Sequence, residues 1–131
     1  MPVVEFTESD LLRSKIVAPA WYRLELGMVS EWNPSKNGDS NNCTIEGTIV
    51  ANADNGDTEF AGVPITIQFN DKPKARGFIE GFLRALGVDV SVGRFDLAAA
   101  NGQHIDAFIE NDTYEGRILN RCNHKYRKSS K

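Results

Sequence analysis

The sequence predicts an all-β domain with one main helix. Three observations predict it. Five runs alternate apolar and polar residues with the period of two that marks half-buried strands. A single long stretch, Lys72 to Leu86, places Phe78, Ile79, Phe82, Leu83 and Leu86 on one helical stripe. That stretch follows the third run and precedes the fourth. Three strands, a helix and two strands is the connectivity of the OB-fold, a five-stranded Greek-key barrel.

Each element has its own signature. Thr7-Glu8-Ser9-Asp10 before Leu11-Leu12 has the form of a helix start, so a short helix over 8–14 is expected in an N-terminal extension, residues 1–19. Trp21 to Glu31 is the first strand, with Tyr22, Leu24, Leu26 and Met28 alternating with Trp21, Arg23 and Glu25. Gly27 within it predicts a bulge or bend. Trp32 to Asn42 is a polar loop of turn residues. Cys43 to Asn52 is the second strand, with Ile45, Ile49 and Ala51 sharing a face with Gly47. Asp54-Asn55-Gly56-Asp57 makes a hairpin turn. Glu59 to Phe69 is the third strand, its Val63, Ile65, Ile67 and Phe69 inward and Pro64 outward.

Asn70 or Asp71 is expected to cap the helix, Pro73 sits in its first turn and Gly87 ends it. Gly77, Gly81 and Ala85 form a smooth second face, suited to close packing under the barrel or to a homodimer contact. A second short helix is expected over Phe95 to Ala100, closed by Asn101-Gly102. Gln103 to Glu110 is the fourth strand; its facing stays open, because Ile105, Ala107 and Ile109 compete with Phe108. Asn111 to Gly116 is a turn, and Arg117 to Asn123 the fifth strand.

At 131 residues the chain fits one domain, residues 1–126, with 127–131 as a basic, disordered tail. The formal charge of −3 is unevenly spread: residues 1–70 carry four basic and ten acidic side chains, residues 71–131 eleven and eight. From Arg117 onward every formally charged side chain is basic, a local field able to hold a polyanion. The acidic start lacks a basic n-region and no apolar run reaches about 18 residues, so neither a secretory signal nor a membrane partner is expected, and the predicted location is cytoplasmic. Cys43 and Cys122 are then expected to be reduced thiols; with His124 they fit no standard zinc spacing, and no cofactor or metal is expected.

An enzyme is not expected either. His104 and His124 lie in no motif with a nucleophile, and no G-x-S-x-G, P-loop or H-E-x-x-H is present. Asp106, Glu110, Asp112 and Glu115 could crowd one loop as a metal nuclease needs, but such clusters are usually solvated turns.

In an OB barrel the ligand lies across the middle strands, between the loop joining strands one and two and the loop joining strands four and five. The first loop holds Trp32 and Lys36, the second Tyr114 with Arg117 after it. Rings for base stacking beside cations for phosphate are what a single strand requires, each stack contributing about 1–3 kcal/mol. Trp21 and Tyr22 are adjacent and point to opposite faces. Tyr22 joins the apolar face, which leaves Trp21 outward; Phe60 is assigned to the core. Arg23, Arg117 and Arg121 are candidate phosphate contacts, with Lys125, Arg127 and Lys128 as a basic arm.

The second half carries a resemblance. Gly81-Phe82-Leu83-Arg84-Ala85-Leu86-Gly87 precedes an Asp/Leu/Ala helix, then Gly102-Gln103-His104-Ile105, Ala107-Phe108-Ile109-Glu110, Tyr114-Glu115-Gly116-Arg117 and Asn120-Arg121. With Trp21-Tyr22-Arg23-Leu24 opening the first strand, this resembles a family of phage-encoded OB-fold proteins that includes single-stranded DNA-binding proteins. The resemblance spans most of residues 20–126 and rests on glycine and apolar positions. It implies sequence-independent binding of single-stranded DNA, with RNA the other candidate, in phage replication, recombination or repair. It also implies Trp32, Tyr114 and Arg117 as contacts. Replication or recombination proteins would be partners, although the basic C-terminus departs from the acidic tail that recruits them in many single-strand binders. The other reading of the same fold is a protein-interaction module acting on a host or replication protein.

Overall fold

The computed structural model describes residues 2–8, 11–12, 15–36, 38–89, 93 and 95–129. Its main body is an antiparallel sheet with one α-helix. The strands are β1 (Ala20–Val29), β2 (Asn33–Pro34), β3 (Asn41–Asn52), β4 (Pro64–Asn70), β5 (His104–Tyr114) and β6 (Arg117–Arg127); helix α1 spans Arg76–Ala85, between β4 and β5. The sheet order is β2-β3-β1-β5-β6, with β4 on β3. The two-residue β2 adds a sixth strand to the five expected, inside the stretch read as a loop. No hydrogen-bonded ladder joins β4 to β6 among the described residues, so the sheet is open there.

Side chains bridge that opening. Phe69 of β4 stacks on His124 of β6 with centroids 5.2 Å apart, and Phe78 of α1 covers the other side of the imidazole at 4.7 Å. Phe82 meets Phe69 and Tyr126 edge-on at 5.1 and 5.2 Å. The backbone of β6 makes this bridge. Between its Cys122–Ile109 and Tyr126–Ala107 pairings it carries more residues than β5, and His124 takes a left-handed φ of 61°. The resulting bulge turns the imidazole across the seam.

The inward positions of β1, β3, β4 and β5 build one core: Tyr22, Leu24 and Leu26 from β1, Cys43, Ile45 and Ile49 from β3, Ile65, Ile67 and Phe69 from β4, and Ile105, Ala107 and Ile109 from β5. The Tyr22 hydroxyl donates to the Ala18 carbonyl at 2.6 Å, so the ring is buried with its polar atom satisfied. This settles the facing of β5: Phe108 points out, against Trp21. Phe60 is half-buried and meets the Tyr22 ring edge-on.

Several expectations are corrected. Met28 is 71% exposed. The register shifts between Leu26 and Val29, where Gly27 sits, so Val29 takes the inward place opposite Ile45. The third strand starts at Pro64 and not Glu59, because 59–62 turn. The main helix is shorter than Lys72–Leu86: Pro73–Ala75 form a tight 3-10 turn before it. Asp71 does not cap it, since its carboxylate accepts from the Asn41 backbone and side-chain amides at 2.8 and 2.9 Å. Asn70 accepts instead from the Lys72 N–H at 2.9 Å.

Gly87, at φ 85°, ends the helix as predicted. The Val88 N–H reaches back to the Leu83 carbonyl and the Gly87 N–H to Arg84, both 3.0 Å, a Schellman arrangement. Gly77 and Gly81 do not pack under the sheet: a Cβ at either would meet nothing within 4 Å, and only Ala85 of that face is buried. The second helix is a single 3-10 turn, Leu97–Ala100, capped by Asp96 accepting from the Ala98 N–H. Strands β5 and β6 run on to a two-residue loop, Glu115-Gly116, with both φ positive, so residues read as a turn continue the ladder. Arg127 closes β6 and is not part of a tail. Of the expected helix over 8–14, Glu8, Leu11 and Leu12 are helical; residues 9, 10, 13 and 14 lie outside the described residues, as do 130 and 131 of the tail. No helix among the described residues is long and apolar enough to cross a membrane.

Candidate nucleic-acid interface

The middle-strand face, where an OB ligand is expected, carries mostly neutral side chains. The outward pairs across β3 and β4 are Thr44–Gln68, Glu46–Thr66 and Thr48–Pro64, with Val50 beyond. Among the described residues that face offers a carboxylate and no aromatic ring or cation.

The rings and cations lie instead on the outer face of β1, β5 and β6. The register sets Trp21 opposite Phe108 and Arg23 opposite Asp106. The two rings meet edge-on at 5.6 Å. Arg127 lies over Trp21, 4.5 Å from the centroid, and Lys125 over Phe108 at 5.5 Å. Four of the predicted site residues, Trp21, Arg23, Lys125 and Arg121, are thus brought to one face. Phe108 and Arg127 complete it. Phe108 was visible as a residue competing for the core; once Ile105, Ala107 and Ile109 face inward, strand alternation sends it outward.

The cations of this face are already partnered. Arg121 meets Asp112 at 3.1 Å and Lys125 meets Glu110 at 3.1 Å. Arg127 pairs with Asp106 at 3.3 Å and with Asp54, and Arg23 Nε lies 3.9 Å from Asp106. Arg23 also donates to Ser129 Oγ at 3.0 Å, which ties the C-terminal end to β1. The Lys125 ammonium holds the Glu110 carboxyl below the usual range, assisted by Asn123. Asp106, Glu110 and Asp112 are therefore committed to cations, and among the described residues no cluster of three or more His, Cys, Asp or Glu could hold a metal ion. Any phosphate bound here would exchange with a carboxylate.

Tyr114 (56% exposed) and Arg117 stand at the β5–β6 tip, with exposed Ile118 beside them. The tip overshoots the start of β1 by five residues, since Ala20 pairs with Ile109 and β5 continues to Tyr114. Trp32 and Lys36 follow the other end of β1. The structure does not bring Trp32 and Lys36 together with Tyr114 and Arg117. Trp32, 42% exposed, lines a groove of about 910 Å³ between the end of β1, α1 and residues 95–98. Among the described residues its charged lining is Glu31, Asp71, Glu80, Asp89 and Asp96 against Arg76. That field opposes phosphate. Lys36 is exposed in the turn, near which Lys72 and Asp39 pair at 3.1 Å.

No family model and no curated protein sequence matches this chain.

Proposed function

We propose that the protein binds single-stranded DNA, in replication, recombination or repair of phage DNA, through the outer face of β1, β5 and β6. The observation that carries this reading is the cross-strand cluster of Trp21 and Phe108 with Arg23, Arg121, Lys125 and Arg127. Rings give sequence-tolerant stacking, and cations meet the backbone. Tyr114 and Arg117 extend the same face at the hairpin tip. RNA is the competing strand.

The topology supports an OB reading of the sheet. Strands β1, β3 and β4 form a meander, α1 follows, β5 returns antiparallel to β1, and β6 completes a hairpin. In that reading the aromatic seam stands where a ladder between β4 and β6 would close the barrel. The site differs from the usual one, because among the described residues the middle-strand face has neither rings nor cations. The phage context rests on the sequence resemblance, and a cytoplasmic location follows from the same reading.

The test is anisotropy titration of a labelled single strand and the matching duplex at low and moderate salt. The single strand is expected to bind more tightly, with affinity falling as salt rises. Equal affinity for both, or no binding at low salt, would sink the proposal.

One observation favours a second reading, a protein-interaction module. The acidic groove around Trp32 fits a basic peptide segment better than a nucleic acid. Partners that survive nuclease treatment in a co-purification would favour it, and partners lost with nuclease would count against it.

A further inference from the structure

Asp106 is an anomaly on the outer face. It is 2% exposed, and its Oδ1 accepts no hydrogen bond from the described residues. Arg23 Nε, 3.9 Å away, is beyond hydrogen-bonding distance. Arg127 Nε reaches the other oxygen at 3.3 Å. A buried carboxylate oxygen without a donor is costly, so such an atom calls for a partner.

The group beside it indicates what kind. The Arg127 guanidinium lies over Trp21 at 4.5 Å and donates to both Asp106 and Asp54. A guanidinium is flat and conjugated, with N–H donors along its edge and no acceptor. A base laid on Trp21 with a donor edge toward the carboxylates would match it in shape and in polarity. Among the DNA bases only guanine presents two adjacent donors, N1–H and N2–H, on its Watson–Crick edge. Adenine and cytosine set one donor beside an acceptor, and thymine sets one donor between two carbonyls, which a carboxylate repels.

We propose that Trp21 and Asp106 form a slot for one guanine base of a single strand, filled by the Arg127 guanidinium while no strand is bound. This rests on the single-strand reading above and adds a base preference to it. Guanine stacks on Trp21 and donates to Asp106, including the oxygen that lacks a donor. Arg127 turns to a phosphate of the incoming strand, a charge-assisted contact that its fork geometry suits. Asp106 then selects the base within a surface whose other contacts tolerate any base.

The test is anisotropy titration at fixed low salt with labelled oligothymidylate and with the same strand carrying isolated, spaced guanines, adenines or hypoxanthines. Guanine strands are expected to bind about five- to tenfold more tightly than oligothymidylate, with hypoxanthine, which keeps N1–H and lacks the amino group, in between. Asp106→Asn is expected to abolish the guanine preference, read as the ratio of guanine-strand to oligothymidylate affinity in that variant. The comparison among bases with the unaltered protein stands whether or not that variant folds. Equal affinity for all strands overturns the slot and leaves single-strand binding standing. A guanine preference that survives in a folded Asp106→Asn overturns the assignment to Asp106. No binding to any strand overturns both the slot and the single-strand reading.

Discussion

The histidine at position 124 shows how much one residue can organise. Nothing in the sequence marks it, because period-two reasoning would place Cys122, His124 and Tyr126 on one face of an unbroken strand. The left-handed turn at His124 is a tertiary effect, fixed by Phe69 and Phe78 on either side of the ring. Its Nδ1 lies 2.9 Å from the Tyr126 hydroxyl, and burial holds the imidazole pKa below its ordinary value. A lowered value means that the unfolded chain binds the proton first as pH falls below about 6.5. The contribution of His124 is therefore full above that pH and is lost as pH falls toward the folded value. Wild type is expected to lose stability between pH 7 and 5.5 more steeply than His124→Asn, since asparagine tolerates the left-handed backbone and does not titrate there. Denaturant melts across that range check it; parallel pH profiles would contradict it.

The elements were more legible than their edges. Five strand patterns and the apolar stripe of α1 are visible because burial on one face imposes a period, and the core residues of β1, β3 and β4 follow from it. The bulge at Gly27 was visible, but its consequence for Met28 was not, because a bulge reverses the alternation beyond it. Packing of the α1 glycines under the sheet is not found; small residues look alike in sequence whether covered or exposed. The seam gives this scale its stability prediction: Phe82, fully buried between Phe69 and Tyr126, should cost about 3–5 kcal/mol as Phe82→Ala in a denaturant melt. A loss under about 1 kcal/mol would mean that the seam does not hold the helix to the sheet. The ion pairs of the outer face give a binding prediction. Glu110→Gln leaves Lys125 without its carboxylate, and should tighten single-strand binding and steepen the log–log salt slope by roughly 0.7, one phosphate's worth. An unchanged slope would place Lys125 outside the interface.

For the whole molecule, the order of elements directed attention to loops, whereas rings and cations gather on the outer face of β1, β5 and β6. It pointed to two loops across the middle strands, and those loops lie at opposite ends of β1 and β5. Composition showed a basic second half; only strand register reveals that its cations sit among carboxylates, which attenuates the field. With about four cations engaged and free, the salt slope would approach −3; the carboxylates should keep the measured slope shallower. Trp21 and Trp32 separate the two accounts, because one lies on the β1–β5–β6 face and the other in the acidic groove. The most direct measurement is the affinity of folded Trp21→Ala and Trp32→Ala for one labelled single strand at low salt. Trp21→Ala should bind about tenfold or more weakly than wild type, while Trp32→Ala binds within about twofold of it. Loss of binding in Trp32→Ala with Trp21→Ala unaffected would contradict the account.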